Sequence, residues 1–264
     1  MRRALCVGIN DYPGRVNDLK GCVNDARDWA QVLSDRFGFS TADIQLLLDK
    51  AATKKAILGG IEKLLTGAKS GDVLVVTVSS HGTYVADTSG DEERYDEAIC
   101  PWDMKTNLIV DDELRERFMN IPTRCRLTMI SDSCFSGTVT RAPGNIPTPD
   151  DRRPRFVRPS ILGLPELEDL RRAKPRGAAV SESQMKEVLI AGCNDHQSSY
   201  DAKFGSVYNG AMTFFALDIL RAAGYRLTYE ELWNRLVVRL DQEGFDQEPQ
   251  VEGRAAAKRR QVFA

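Results

Sequence analysis

The chain has 264 residues, 36 basic against 38 acidic side chains, a formal charge of −2 and 42% apolar residues. That is enough apolar material for one large α/β domain or two small ones, and it excludes global disorder. The near-neutral balance excludes a general nucleic-acid binder, and the run Val73–Val78 is far too short to cross a bilayer, so neither nucleic acid nor membrane is an expected partner.

The N-terminal Met1-Arg2-Arg3-Ala4-Leu5 lacks a sustained apolar stretch and a small-residue cleavage site, so no secretion signal is expected. Ala4–Ile9 is an apolar run closed by Asn10-Asp11, the pattern of a buried strand. Asn24 or Asp25 can cap a helix carrying Trp29, Val32, Leu33 and Phe37. Ile44–Leu48 is a second strand, and Thr53 caps a helix with Ile57, Ile61, Leu64 and Leu65, closed by Gly67. Asp72–Ser79 is the clearest strand, apolar on both faces as an interior parallel strand must be. A polar, acidic loop is expected from Thr83 to about Glu97, then a short helix over Asp111–Phe118 and a strand over Leu127–Ser131.

Seven of the eleven prolines lie between Pro143 and Pro175, among nine basic residues from Arg141 to Arg176. Residues 141–181 therefore read as a long exposed loop, with a helical turn at Glu166–Arg172. Order resumes with a strand at Glu187–Ala191 and helices over Ala211–Ala222 and Tyr229–Asp241, followed by a polar tail. Strand–helix alternation on both sides of the loop predicts one mostly parallel sheet covered by helices on both faces, an α/β fold.

Two segments follow directly on the two strongest strands: Ser79-Ser80-His81-Gly82 and Asp132-Ser133-Cys134-Phe135-Ser136-Gly137. Open parallel sheets hold their sites just beyond the carboxyl ends of the strands. Neighbouring strands would deliver His81 and Cys134 to one edge, where imidazole and thiol make a base–nucleophile pair. The amides of Gly82 and Cys134 are candidates for binding a developing oxyanion. The plain alternative is a buried apolar cysteine and a hydrogen-bonded filler histidine. His196 is the other histidine, in a segment away from the expected edge. The six cysteines (6, 22, 100, 125, 134 and 193) include no Cys-x-x-Cys pair, which reads as reduced thiols of a cytoplasmic protein.

Strand–Ser-His-Gly followed by strand–Asp-Ser-Cys-Phe-Ser-Gly resembles the caspase-like cysteine peptidases, and most of all their metacaspase and orthocaspase branch. Gly21-Cys22-Val23-Asn24-Asp25-Ala26, Tyr95-Asp96-Glu97, Cys100-Pro101-Trp102-Asp103 and Val110-Asp111-Asp112 are similar to segments of that family. So are Ala191-Gly192-Cys193-Asn194-Asp195-His196-Gln197, Asn209-Gly210-Ala211-Met212-Thr213 and Gln247-Glu248-Pro249-Gln250. Phe135 stands where the family often has histidine, a position that is not the base.

The resemblance implies a single caspase-like (caspase–hemoglobinase) domain over 1–264. Its large-subunit-like part is 1–140, and its small-subunit-like part 182–264, joined by the 141–181 loop. It implies a cysteine endopeptidase with a Cys134–His81 dyad. It matches Cys22, Asp25, Ser79 and Asp132 to a specificity pocket, whose two carboxylates suit Arg or Lys before the cut. Asp25 as a helix cap and Asp132 as a turn pin are the structural alternatives. The family's calcium ligands match Asp96, Asp111 and Asp112, but a further acidic position is Arg141 here, so a metal requirement is not fixed. In such a peptidase the basic loop offers bonds for self-cutting, as does Lys258-Arg259-Arg260. The expected partners are protein or peptide substrates and a regulatory protein, with the chain itself a monomer. The rival readings are a catalytically weak caspase-like module that binds a partner in signalling or defence, and another cysteine-dependent acyl hydrolase.

Overall fold

The computed structural model describes residues 1–86, 95–134, 151–166, 182–194 and 197–264. Its centre is a six-stranded sheet in the order β12-β9-β7-β3-β1-β2. The strands are β1 (Arg2–Gly8), β2 (Ile44–Leu48), β3 (Val73–Ser79), β7 (Arg126–Asp132), β9 (Glu187–Ala191) and β12 (Gln250–Glu252). All neighbours run parallel except β12, which pairs antiparallel with β9. The mostly parallel sheet expected from the strand–helix alternation is the one observed.

Side-chain alternation divides the core in two. Ala4 and Cys6 of β1 and Val75 of β3 face α1 (Cys22–Phe37) and the helices Ala211–Ala222 and Tyr229–Gln242. Leu5 and Val7 of β1, with Leu74, Val76 and Val78 of β3, face α2 (Lys54–Leu65) and α3 (Asp111–Phe118). Both faces of β3 are thus covered, and all seven of its residues are buried. Each such Leu or Val contributes about 1.5–3 kcal/mol of transfer free energy. Thr53 caps α2 as expected, its side chain accepting from the amide of Ala56. Asn24 and Asp25 do not cap α1. Gly21 is the cap, and Asp25 lies buried in the first turn.

Three segments expected to be irregular are built into the structure. The acidic loop is flanked by β4 (Gly82–Ala86) and β5 (Tyr95–Ile99), which pair antiparallel, with β6 (Ile109–Val110) alongside β5. Residues 87–94 and the expected turn beyond Glu166 lie outside the described residues. The C-terminal segment is no polar tail: it supplies β12, and Val262 and Phe263 are buried in the core.

The proline- and arginine-rich stretch also contributes a strand. Of its described part, 151–166, β8 (Arg152–Pro154) pairs antiparallel with β10 (Tyr200–Phe204), which pairs in turn with β11 (Val207–Gly210). Arg155 is 0% exposed and Val157 1%. An arginine can be interior because carboxylates meet its charge there, and a proline is tolerated in β8 because that strand is an edge. Among the described residues no helix is long and apolar enough to cross a membrane.

Candidate active site

Ser79 and Asp132, the last residues of β3 and β7, are partners across the sheet. His81 and Cys134 each follow two residues later, so strand register alone brings both to the same carboxyl edge. Ser80 and Ser133 tie the two chain segments together, their hydroxyls 3.2 Å apart. The backbone amide of His81 donates to the Tyr12 hydroxyl at 3.1 Å, and the two rings lie 5.2 Å apart.

The His81 ring is oriented by the main chain. Nε2–H donates to the Asn17 carbonyl at 2.8 Å, which leaves Nδ1 with the lone pair of the neutral imidazole. Nδ1 is buried with no hydrogen-bond partner among the described residues. Burial pushes the His81 pKa down to about 3, opposed by the Asn17 carbonyl and reinforced by the charges of Arg153 and Arg155. The imidazole is therefore neutral at pH 7. The Cys134 thiol is buried, and Sγ–H donates to the Gln197 carbonyl at 3.1 Å.

The chain's own residue 155 lies across this edge. The Arg155 carbonyl oxygen accepts from the Gly82 amide at 2.9 Å and from the Cys134 amide at 3.3 Å. On either side the backbone is held in extended pairing. The Arg155 amide donates to the Ser199 carbonyl at 2.8 Å, and that of Val157 to the Gly82 carbonyl at 3.0 Å.

Three carboxylates surround the Arg155 guanidinium. Nη2 reaches Asp25 at 2.7 Å and Asp201 at 3.0 Å, while Nη1 reaches the Asp132 carboxylate at 3.3 Å and its carbonyl at 2.9 Å. Each carboxylate also has donors of its own. Asp25 accepts from the Gly210 amide and Asn209, Asp201 from the amides of Lys20 and Gly21, and Asp132 from Ser199 and from the amide and hydroxyl of Thr213. Such donors stabilise buried charge. Gly210 is required here, since a Cβ would collide with the Asp132 carboxylate and the guanidinium.

Burial pushes the Asp25 carboxyl up to about 6, against the pull of the Arg155 charge and with Asp132 adding to the rise. Burial also disfavours the Arg155 charge, but Cys22, Asp132, Asp25 and Asp201 outweigh it and hold the guanidinium above its ordinary pKa. The pocket is strongly anionic and shaped for a planar cation.

His81, Gly82, Cys134, Cys22, Asp25, Ser79 and Asp132 are thus gathered at one edge. Asp96, Asp111 and Asp112 are not part of it. Asp111 and Asp112 both pair with Arg115, at 2.7 and 2.5 Å. Among the described residues no group of three or more metal-ligating side chains forms. In this structure the carboxylates of Asp111 and Asp112 are engaged by Arg115. Arg141 and His196 lie outside the described residues.

Sequence reasoning missed Arg155, Asp201 and the Asn17 carbonyl. A carbonyl carries no residue-type signal, and Asp201 stands in no motif. Arg155 was one of nine basic residues in a stretch read as solvated.

The sequence matches the family model "Metacaspase, peptidase C14 domain" over residues 2–143. Metacaspase-7 of Arabidopsis thaliana is 44% identical over 143 residues, covering 52% of this chain and 35% of that protein. Metacaspase-1 of Scheffersomyces stipitis is 33% identical over 253 residues, covering 83% and 62%. The crystal structure of protein GSU0716 from Geobacter sulfurreducens superposes with a TM-score of 0.74 at 28% identity, covering 100% of this chain and 98% of that one. The chain spans less than two thirds of the length of those two curated relatives.

Proposed function

Given that the chain belongs to the metacaspases of peptidase family C14, we propose that it is a cysteine endopeptidase that cuts after Arg or Lys and processes itself at the Arg155–Phe156 bond. One observation carries this reading. The Arg155 carbonyl accepts from the amides of Gly82 and Cys134 while its side chain fills the pocket of Asp25, Asp132 and Asp201. Two amides on the carbonyl oxygen and a filled side-chain pocket support reading Arg155 as the residue before the cut.

In the reaction, His81 Nδ1 takes the Cys134 proton and the sulfur attacks the carbonyl carbon. The oxygen takes up negative charge between the two amides. The carbon–nitrogen bond to the next residue breaks, and His81 returns the proton to the leaving amine. Water then attacks the thioester, with His81 accepting its proton, and hydrolysis releases the new carboxyl group and the thiol. The Asn17 carbonyl steadies the imidazolium in place of a side-chain carboxylate. An Asp substrate is rejected because its charge would be buried among three carboxylates.

We also read the protein as cytoplasmic and monomeric. Its six cysteines include no Cys-x-x-Cys pair, a usage that suits a reducing compartment. The β12 edge is a strand of only three residues, too short to template a second sheet. A regulatory protein partner would act by drawing the 151–166 segment out of the cleft.

The test is a peptide library cleaved by the purified enzyme, together with labelling by an electrophile on a peptide ending in arginine. Cleavage after Arg or Lys and modification of Cys134 are expected. Preferred cleavage after Asp, or labelling unaltered in Cys134→Ala, would overturn the reading.

A further inference from the structure

The strand that leads into the Arg155 pocket makes contacts of its own. Arg152, Arg153 and Pro154 pair with β10 in antiparallel register: Ala202 opposite Arg152, Asp201 opposite Arg153 and Tyr200 opposite Pro154. Arg152 is three residues before Arg155, and its guanidinium carbon lies 3.8 Å from the centre of the Phe245 ring. The same group donates through Nη1 to the Gly244 carbonyl at 2.5 Å and through Nη2 to the Glu243 carbonyl at 3.1 Å. These carbonyls lie just past the end of helix Tyr229–Gln242, where the helix dipole favours a cation. Phe245 is itself buried and braced by the rings of Tyr200, Phe204 and Phe215.

We infer that Phe245 with the carbonyls of Glu243 and Gly244 forms a second cation subsite, which selects arginine at the fourth residue before the cut. The inference rests on the proposed cut after arginine and adds to it the chemistry of a distant position. A ring face and two carbonyls aligned with a planar, five-donor group favour Arg over Lys, since an ammonium can stack on the ring but cannot fork to both oxygens. The edge of β10 that β8 occupies supplies the main-chain pairing that would bring a substrate's fourth residue to this place, as strand addition does in other peptide complexes. Arg153 differs: it is exposed, and its guanidinium donates to the Val16 carbonyl without an aromatic face. The preferred substrates are therefore extended peptides with two arginines spaced three apart.

The decisive experiment compares acetyl-Arg-Arg-Pro-Arg and acetyl-Ala-Arg-Pro-Arg amides on the wild-type enzyme and on Phe245→Leu, which keeps an apolar side chain of similar size in the core. The expected preference for the first peptide is about ten-fold in kcat/KM, falling to less than about two-fold in Phe245→Leu. In the chain itself, Arg152→Ala should slow the appearance of a fragment beginning at Phe156 by a similar factor. Equal cleavage of both peptides by the wild type would overturn this subsite while leaving the cut after arginine intact. If neither peptide is cleaved and no self-cut occurs, the reading beneath it falls as well.

Discussion

His81 Nε2 donates to the main-chain carbonyl of Asn17 at 2.8 Å, so the residue that orients the imidazole contributes no side chain to it. This has a sharp mutational consequence. His81→Ala removes the base and should lower kcat/KM on the order of 10³-fold. Asn17→Ala keeps the carbonyl and should stay within about three-fold of wild type. Steady-state kinetics with an arginine peptide checks both. A loss in Asn17→Ala comparable to that in His81→Ala would mean that the orienting contact lies elsewhere.

Asp25 carries the pH dependence. Its carboxyl, pushed from 3.8 up to about 6 by burial, binds a proton more tightly in the fold than in the unfolded chain. The stability this contributes is full below about pH 4 and is lost as pH rises through 6. Substrate binding runs the other way, because only the ionised carboxylate attracts the incoming guanidinium. The kcat/KM for arginine peptides should rise with pH as Asp25 ionises and then level off, its carboxyl held above the ordinary carboxylate range by burial. Asp25→Asn should flatten the rise and lower the plateau by on the order of 100-fold. Retention of the same limb in Asp25→Asn would assign it to another group.

The C-terminal segment is structural. Phe263 is buried against Trp29, Phe37 and Tyr229, with ring centroids 6.0, 5.0 and 6.3 Å away. Its carbonyl accepts from the Arg2 guanidinium at 2.6 Å. Phe263→Ala should cost about 3–5 kcal/mol in denaturant unfolding, while the folded fraction keeps its kcat/KM. A change below 1 kcal/mol would show that this segment does not belong to the core.

The central architecture was legible because it rests on local patterns. The unbroken apolar run of β3 marks a strand covered on both faces, and its pairing with β7 follows from two similar strands ending in similar Ser-rich turns. His81 and Cys134 inherit their positions from that register. Long-range contacts were not legible. Arg155 is interior only because Asp25, Asp132 and Asp201, drawn from three distant segments, converge on it. Composition made it look solvated, since proline and arginine are common in exposed loops. The C-terminal Val262 and Phe263 were missed for a related reason, as two apolar residues after Lys258-Arg259-Arg260 show no periodicity. The pairing of Asp111 and Asp112 with Arg115, a turn along the same helix, is a local contact that matching residues to a family does not reveal.

Whether Arg155 lies in the cleft as a substrate is tested directly by intact-mass analysis with N-terminal sequencing. Wild-type protein left at neutral pH should yield a fragment beginning at Phe156. Cys134→Ala should remain whole, and Arg155→Ala should leave this bond uncut even if other basic sites in 141–176 are slowly cleaved. Arg155→Lys should still cut, more slowly, because a single ammonium cannot span Asp25, Asp132 and Asp201 as the guanidinium does. The same fragment arising from Cys134→Ala, or wild-type self-cutting that spares Arg155–Phe156, would contradict the account.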